Sequence, residues 1–236
     1  MPNTARPAAI GFDADDTLWH NERFFRLTQE RFLALLADHA EPDHLAERLL
    51  AAERRNLGHY GFGIKGFVLS MIETAVEVTE DRVPGGVIHE ILSAGREMLE
   101  HPIELLPHAR QAVEALAGRY RLVLITKGDL LDQERKLAQS GLGDLFDAVA
   151  IVSQKTPRTY SDTFAREGAG AERAVMVGNS LKSDVIPALD AGAWAVHVPH
   201  EVTWELEQAD RPAGHPRFVE MPDLSGFADW VEALRD

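Results

Sequence analysis

The chain has 236 residues, 45% hydrophobic and 26% charged, with 18 Gly and 12 Pro, proportions that exclude collagen-like, disordered and disulfide-scaffold classes. Lys and Arg number 24 against 38 Asp and Glu; the net charge of −14 repels phosphate backbones and anionic lipid, so neither a nucleic-acid duplex nor a membrane is expected as a partner. Cysteine is absent, which removes disulfides, thiol nucleophiles and thiolate metal sites and leaves oxygen or imidazole ligands for any metal.

Residues 1–9 carry one Arg and no long apolar run, so they do not read as a secretory signal. No uninterrupted stretch approaches the roughly 18–20 apolar residues of a membrane span, and a cytoplasmic protein is expected. Ala8-Ala9-Ile10-Gly11-Phe12 is a short apolar run that stops at an acidic cluster, as a buried strand would. Residues 19–102 contain no convincing strand. Phe25, Phe32, Leu35 and Leu36 form a helical stripe within 23–40, and residues 87–99 suggest another helix. Between them Ile64, Phe67, Val68, Met71, Ile72 and Ala75 recur at helical spacing. From 103 onward short apolar runs at 122–125, 148–152, 174–177 and 194–198 alternate with helix-like stretches, the pattern of a parallel sheet covered on both faces. The expected fold is α/β, a Rossmann-like parallel sheet built from 1–18 and 103–236, with an all-helical insert at 19–102. Beyond Pro199 a peripheral tail is expected, with a possible edge strand at 218–221, a closing helix at 227–234, and no chemistry.

The polar residues that could do chemistry cluster after strands. Asp13-Ala14-Asp15-Asp16-Thr17 follows the first strand directly, where ligands of open α/β sheets bind. Residues 13 and 15 share parity, and two neighbouring carboxylates repel unless a cation or a shared proton offsets them, which favours a hard ion such as Mg2+. A helix N-cap region would look similar. Thr126-Lys127-Gly128 offers a hydroxyl, a cation and backbone N–H groups suited to a phosphoryl oxygen, or else a cap. Lys155 after the third strand would neutralise a dianion or lie solvated on the surface. Gly178-Asn179-Ser180 with Asp184 supplies an amide and a carboxylate for a metal, or a turn.

Together, Asp13-x-Asp15-x-Thr17, Thr126, Lys155 and Gly178-Asn179-Ser180-x-x-x-Asp184 resemble the four ordered motifs of the haloacid dehalogenase superfamily, with the helical insert where that family carries a C1-type cap. The resemblance implies a Mg2+-dependent phosphatase. Asp13 would be the nucleophile that forms an aspartyl-phosphate, and Asp15 the general acid and base. Thr126 and the Lys127 and Gly128 N–H groups would hold the transferring oxygens, Lys155 would offset charge, and Thr17 would help bind substrate. Asp13, the Asp15 carbonyl, Asn179 and Asp184 would hold the metal.

Asp15 favours phosphate-ester hydrolysis over dehalogenation, because a departing halide needs no proton and an alkoxide does. Asn179 departs from the family, where an Asp metal ligand is usual; an amide carbonyl still coordinates Mg2+ but with one charge fewer. A catalytically impaired binding protein, a phosphomutase and a 2-haloacid dehalogenase remain alternatives to the phosphatase. Within the insert, residues 55–66 hold four glycines at 58, 61, 63 and 66 that are expected to break helix. Tyr60, Phe62 and Lys65 there would either meet a small phosphorylated metabolite or pack within the insert.

Overall fold

The structure, a computed structural model, describes residues 6–168 and 170–234. The first five residues of the N-terminal stretch, read above as lacking a signal, lie outside it. In chain order the elements are β1 (Ala9–Phe12), α1 (Glu22–Leu35), α2 (Pro42–Tyr60), α3 (Ile64–Val78), α4 (Gly85–Glu100), α5 (Ala109–Leu116), β2 (Arg121–Lys127), α6 (Leu130–Ser140), β3 (Ala148–Val152), α7 (Pro157–Arg166), β4 (Ala174–Gly178), α8 (Ile186–Asp190), β5 (Trp194–His197), β6 (Phe218–Glu220) and α9 (Phe227–Ala233). They fall into two compact units. One comprises Met1–His20, Ile103–Lys127 and Gln133–Asp236; the other comprises Asn21–Pro102 and Gly128–Asp132.

The first unit holds a six-stranded sheet in the order β3-β2-β1-β4-β5-β6, parallel throughout. β1 and β4 are apolar throughout and β2 is apolar over 122–125, because both faces are covered there, as parallel sheets require. Alternate residues sort to the two faces. Ile10, Phe12, Leu122, Leu124, Val175 and Val177 pack with α5 and α9 through Val113, Phe227 and Val231. Val123, Ile125, Ala174 and Met176 pack with α7 and α8 through Tyr160, Phe164 and Ala188. Burying each such large side chain contributes about 1.5–3 kcal/mol.

β1 lies between β2 and β4, so the connections leave it on opposite sides and open a crevice at its carboxyl end. Phe12 is level with Leu124 and Val177, which sets Asp13 at that opening.

The second unit has its own core of Phe32, Leu36, Leu45, Leu49, Phe67, Met71, Ala75, Ile91 and Met98, drawn from α1 to α4. Here the glycine-rich stretch behaves differently from expectation. α2 runs on through Gly58 to Tyr60 and α3 resumes at Ile64 with Gly66 inside it, so only residues 61–63 leave the helical path. Gly61 and Gly63 turn the chain at φ +71° and +112°, a region closed to most side chains. Gly66 provides clearance, since a Cβ there would stand 2.9 Å from the Gly61 carbonyl oxygen. Gly66→Ala should therefore lower stability by about 1–3 kcal/mol through this clash, despite the roughly 1 kcal/mol that Ala gains over Gly in an open helix. A urea titration of the full chain reads the sign directly.

Candidate active site

The centre of the site is an ion triad. Asp13 is anchored by its own N–H, which donates to the Val177 carbonyl at 2.9 Å. The Lys155 ammonium lies between Asp13 Oδ1 and Asp184 Oδ1, the latter at 2.6 Å, and all three residues are buried. Burial pushes the Asp13 carboxyl up to about 7, and the neighbouring Asp184 charge adds to the shift while Lys155 opposes it. Burial alone would pull the Lys155 ammonium down, but the Asp13 and Asp184 carboxylates outweigh it and hold the group above the ordinary lysine range.

Local structure explains how these side chains meet. Lys155 directly precedes α7, whose start is fixed by Thr156 and Thr159 in a reciprocal cap with Pro157 behind it. Asp184 lies in a wide helical turn over Leu181–Val185, opened by the Ser180 hydroxyl accepting from the Ser183 N–H at 3.0 Å. Its Oδ2 accepts from the Ser180 N–H at 2.9 Å. The carboxyl sits where a Cβ on Gly178 would be, so this glycine makes room for the Lys155 partner.

Thr17 ties the first motif to the last. Its hydroxyl donates to Asp13 Oδ2 at 3.1 Å and accepts from the Asn179 N–H at 3.0 Å. One end of the Asn179 carboxamide lies 3.2 Å from Asp13 Oδ2 and 3.3 Å from the Asp15 carbonyl oxygen. With nitrogen inward the amide donates to both. With oxygen inward three oxygens converge, which a cation or a shared proton offsets, and a hard oxygen set of this kind fits Mg2+. Among the described residues no three His, Cys, Asp or Glu side chains form a metal cage. A metal here therefore depends on one carboxylate, one backbone carbonyl and one amide, while Asp184 is engaged by Lys155.

The Asp15 side chain points into a separate cradle. Oδ1 accepts from Trp19 Nε1 at 2.7 Å and Lys136 Nζ at 2.9 Å; Oδ2 accepts from Gln133 Nε2 at 2.8 Å and Lys136 Nζ at 3.1 Å. Asp16 takes φ +59°, bending the loop so that Asp15 and Trp19 pair.

At the end of β2, Thr126 is buried two positions past Leu124, the neighbour of Phe12. The Lys127 side chain turns to Ser183 Oγ at 2.7 Å and to Glu207. Glu207 also accepts from Ser180 and Ser183. Burial alone would raise its carboxyl, but Lys127 and the two hydroxyls outweigh it and hold the group below its usual range. The tail beyond Pro199, expected to be chemically idle, thus reaches the two loops that carry the second and fourth motifs.

The structure brings Asp13, Asp15, Thr17, Lys155, Asn179 and Asp184 into one connected set, with Thr126 and Lys127 at the same sheet edge. Gly128, Tyr60, Phe62 and Lys65 belong to the other unit. There Tyr60 is half exposed, Phe62 is partly buried, and Lys65 Nζ pairs with both Asp129 oxygens at 3.0 and 2.9 Å. Sequence reasoning missed Gln133, Lys136 and Glu207.

With this geometry established, similarity to known proteins defines the family. The model described as "Hydrolase: haloacid dehalogenase-like hydrolase" matches residues 7–192. The chain belongs to the haloacid dehalogenase-like hydrolases. It is 44% identical to the crystal structure of a haloacid dehalogenase-like family hydrolase from Xanthomonas campestris, with a TM-score of 0.87 over 98% of this chain and 92% of that one. It is 28% identical over 206 residues to a glyceraldehyde 3-phosphate phosphatase of Methanothermobacter thermautotrophicus, covering 83% of this chain and 87% of the relative. The L-2-haloacid dehalogenase of Xanthobacter autotrophicus shares the fold, with a TM-score of 0.67 at 17% identity over 96% of this chain and 99% of that one.

Glu207→Ala removes the carboxylate that the part-buried Lys127 ammonium and two hydroxyls share, and should lower stability by about 1.5–3 kcal/mol. Glu207→Gln, which keeps an acceptor for the serines, should cost less; paired urea titrations test the order.

Proposed function

We propose that the chain is a Mg2+-dependent phosphatase that hydrolyses a small-molecule phosphate monoester through an aspartyl-phosphate on Asp13. One observation carries this reading. Two carboxylates, two residues apart, occupy different environments: Asp13 with Lys155, Asp15 in its own donor cradle. A nucleophile and a separate acid–base group are what ester hydrolysis needs and halide displacement does not. The phosphatase name of the Methanothermobacter relative supports the same class. A cytoplasmic location is part of the reading.

Asp13 Oδ2 is turned toward Asn179 and the Asp15 carbonyl, which leaves Oδ1, beside Lys155, to attack phosphorus. The Oδ1–P bond forms as the P–O bond to the leaving group breaks, and Asp15 delivers the proton to that oxygen. Water then attacks phosphorus, giving its proton to Asp15; the Asp13–P bond breaks and free phosphate departs. Lys155 offsets the negative charge that the phosphoryl group brings beside Asp13, and the Thr126 hydroxyl with the Lys127 N–H binds its oxygens. Asp13 Oδ2, the Asp15 carbonyl and Asn179 Oδ1 would hold Mg2+, which supplies further charge neutralisation to the phosphoryl oxygens.

A nitrogen-inward Asn179 satisfies the same acceptors without a cation, and this favours a second reading, a metal-free binding protein of the same fold. Mg2+-dependent phosphate release from p-nitrophenyl phosphate by the wild-type chain, abolished in Asp13→Asn, is expected and excludes it. Silence of the wild type across a panel of metabolite phosphates at saturating Mg2+ would favour it instead. Asn179→Asp adds a charge to the metal's ligands and should tighten Mg2+ binding by about tenfold, read by calorimetric titration. An unchanged affinity would remove Asn179 from the ligand set.

A further inference from the structure

The proposed reaction needs Asp15 but says nothing of the residues that hold its side chain. α6 begins with its pattern inverted: Leu130 and Leu131 are 59% and 69% exposed, while Gln133 and Lys136 are buried at 3% and 5%. Such a helix places polar side chains inward at a cost in hydrophobic burial. The two inward groups stand three residues apart on one face and converge on the same carboxylate.

The Gln133 amide shows a further expense. Its Nε2 donates both to Asp15 Oδ2 and, at 3.1 Å, to the Lys127 carbonyl, whereas its Oε1 is buried with no hydrogen-bond partner among the described residues. The reverse orientation would set Oε1 against two acceptors. The amide is therefore aligned for Asp15 and for the loop of the second motif, at the expense of its own carbonyl.

A carboxylate has about four lone-pair directions, and Trp19, Gln133 and the two contacts from Lys136 account for four. Lys136 supplies two of them, so a small shift of its ammonium onto one oxygen opens a direction for a reacting water while the other donors keep the carboxylate oriented.

We propose that Lys136 and Gln133 are positioning residues for Asp15, holding its carboxylate in place for the water-activating step. The proposal rests on the reading of Asp15 as the acid–base group. Dinitrophenyl phosphate separates the steps. Its leaving group departs without a proton, so kcat/KM reports formation of the aspartyl-phosphate and kcat reports its hydrolysis.

For Lys136→Met, kcat is expected to fall about tenfold to a hundredfold while kcat/KM falls less than about threefold, so that KM drops with kcat. A burst of dinitrophenolate and phosphate retained on the acid-quenched protein should accompany the change. Lys136→Arg, which keeps two donors for a carboxylate, should recover most of kcat, and Gln133→Leu should give a milder split in the same direction. Equal losses in kcat and kcat/KM for both Lys136→Met and Gln133→Leu, or no retained phosphate in either, would overturn the proposal. Asp15→Asn distinguishes the two levels. If it retains phosphate and the cradle variants do not, only the positioning role fails; if Asp15→Asn turns over like the wild type, the acid–base reading fails with it.

Discussion

Lys155 lies between two buried carboxylates, and the arrangement of the loops at this edge of the sheet is organised around that contact. Asp13 directly follows β1, and Asp184 comes from the helical turn after the neighbouring strand β4; both carboxylates meet the Lys155 ammonium. Without a cation they would repel across a medium of low polarity. The ammonium satisfies both, yet taking three charges from water costs more than an apolar replacement would. Gly178 gives up its side chain to admit Asp184, and the wide turn over Leu181–Val185 delivers the carboxyl to Lys155.

From this centre two polar networks spread in different directions. Thr17 links Asp13 to the Asn179 backbone and so joins the first motif to the fourth. Glu207 joins Lys127 to Ser180 and Ser183, binding the second and fourth motifs from the side of the C-terminal tail. Networks of this kind are rigid when every member is satisfied and costly when one is removed. The Asp15 side chain has donors of its own, from its loop and from α6, and Gln133 joins this cradle to the Lys127 carbonyl. This difference in donors gives the two carboxylates of the first motif different chemical characters.

Much of this was legible in the sequence, for identifiable reasons. The parallel strands announce themselves because burial on both faces forces unbroken apolar runs, and a carboxylate, hydroxyl or Lys following such a run has few places to go but the open edge of the sheet. Asp13, Asp15, Thr126, Lys155 and Asp184 were therefore visible from spacing and order. Gln133 and Lys136 were not, since a polar pair on a helix reads as a solvated face; only the exposure of Leu130 and Leu131 reveals the inversion. Glu207 was hidden in a segment without periodicity, reached through a short helical turn at Glu205–Glu207. The glycines at 58 and 66 misled because composition cannot separate a glycine that turns the chain from one that gives clearance inside a helix.

The most direct test of the account is to find where the phosphoryl group rests during turnover. Acid quenching of the wild-type chain in the steady state with p-nitrophenyl phosphate and Mg2+, followed by peptide mapping, should locate a phosphoryl group on Asp13 alone. A phosphoryl group on another residue, or steady turnover with none on Asp13 in either the wild type or Asp15→Asn, would contradict it.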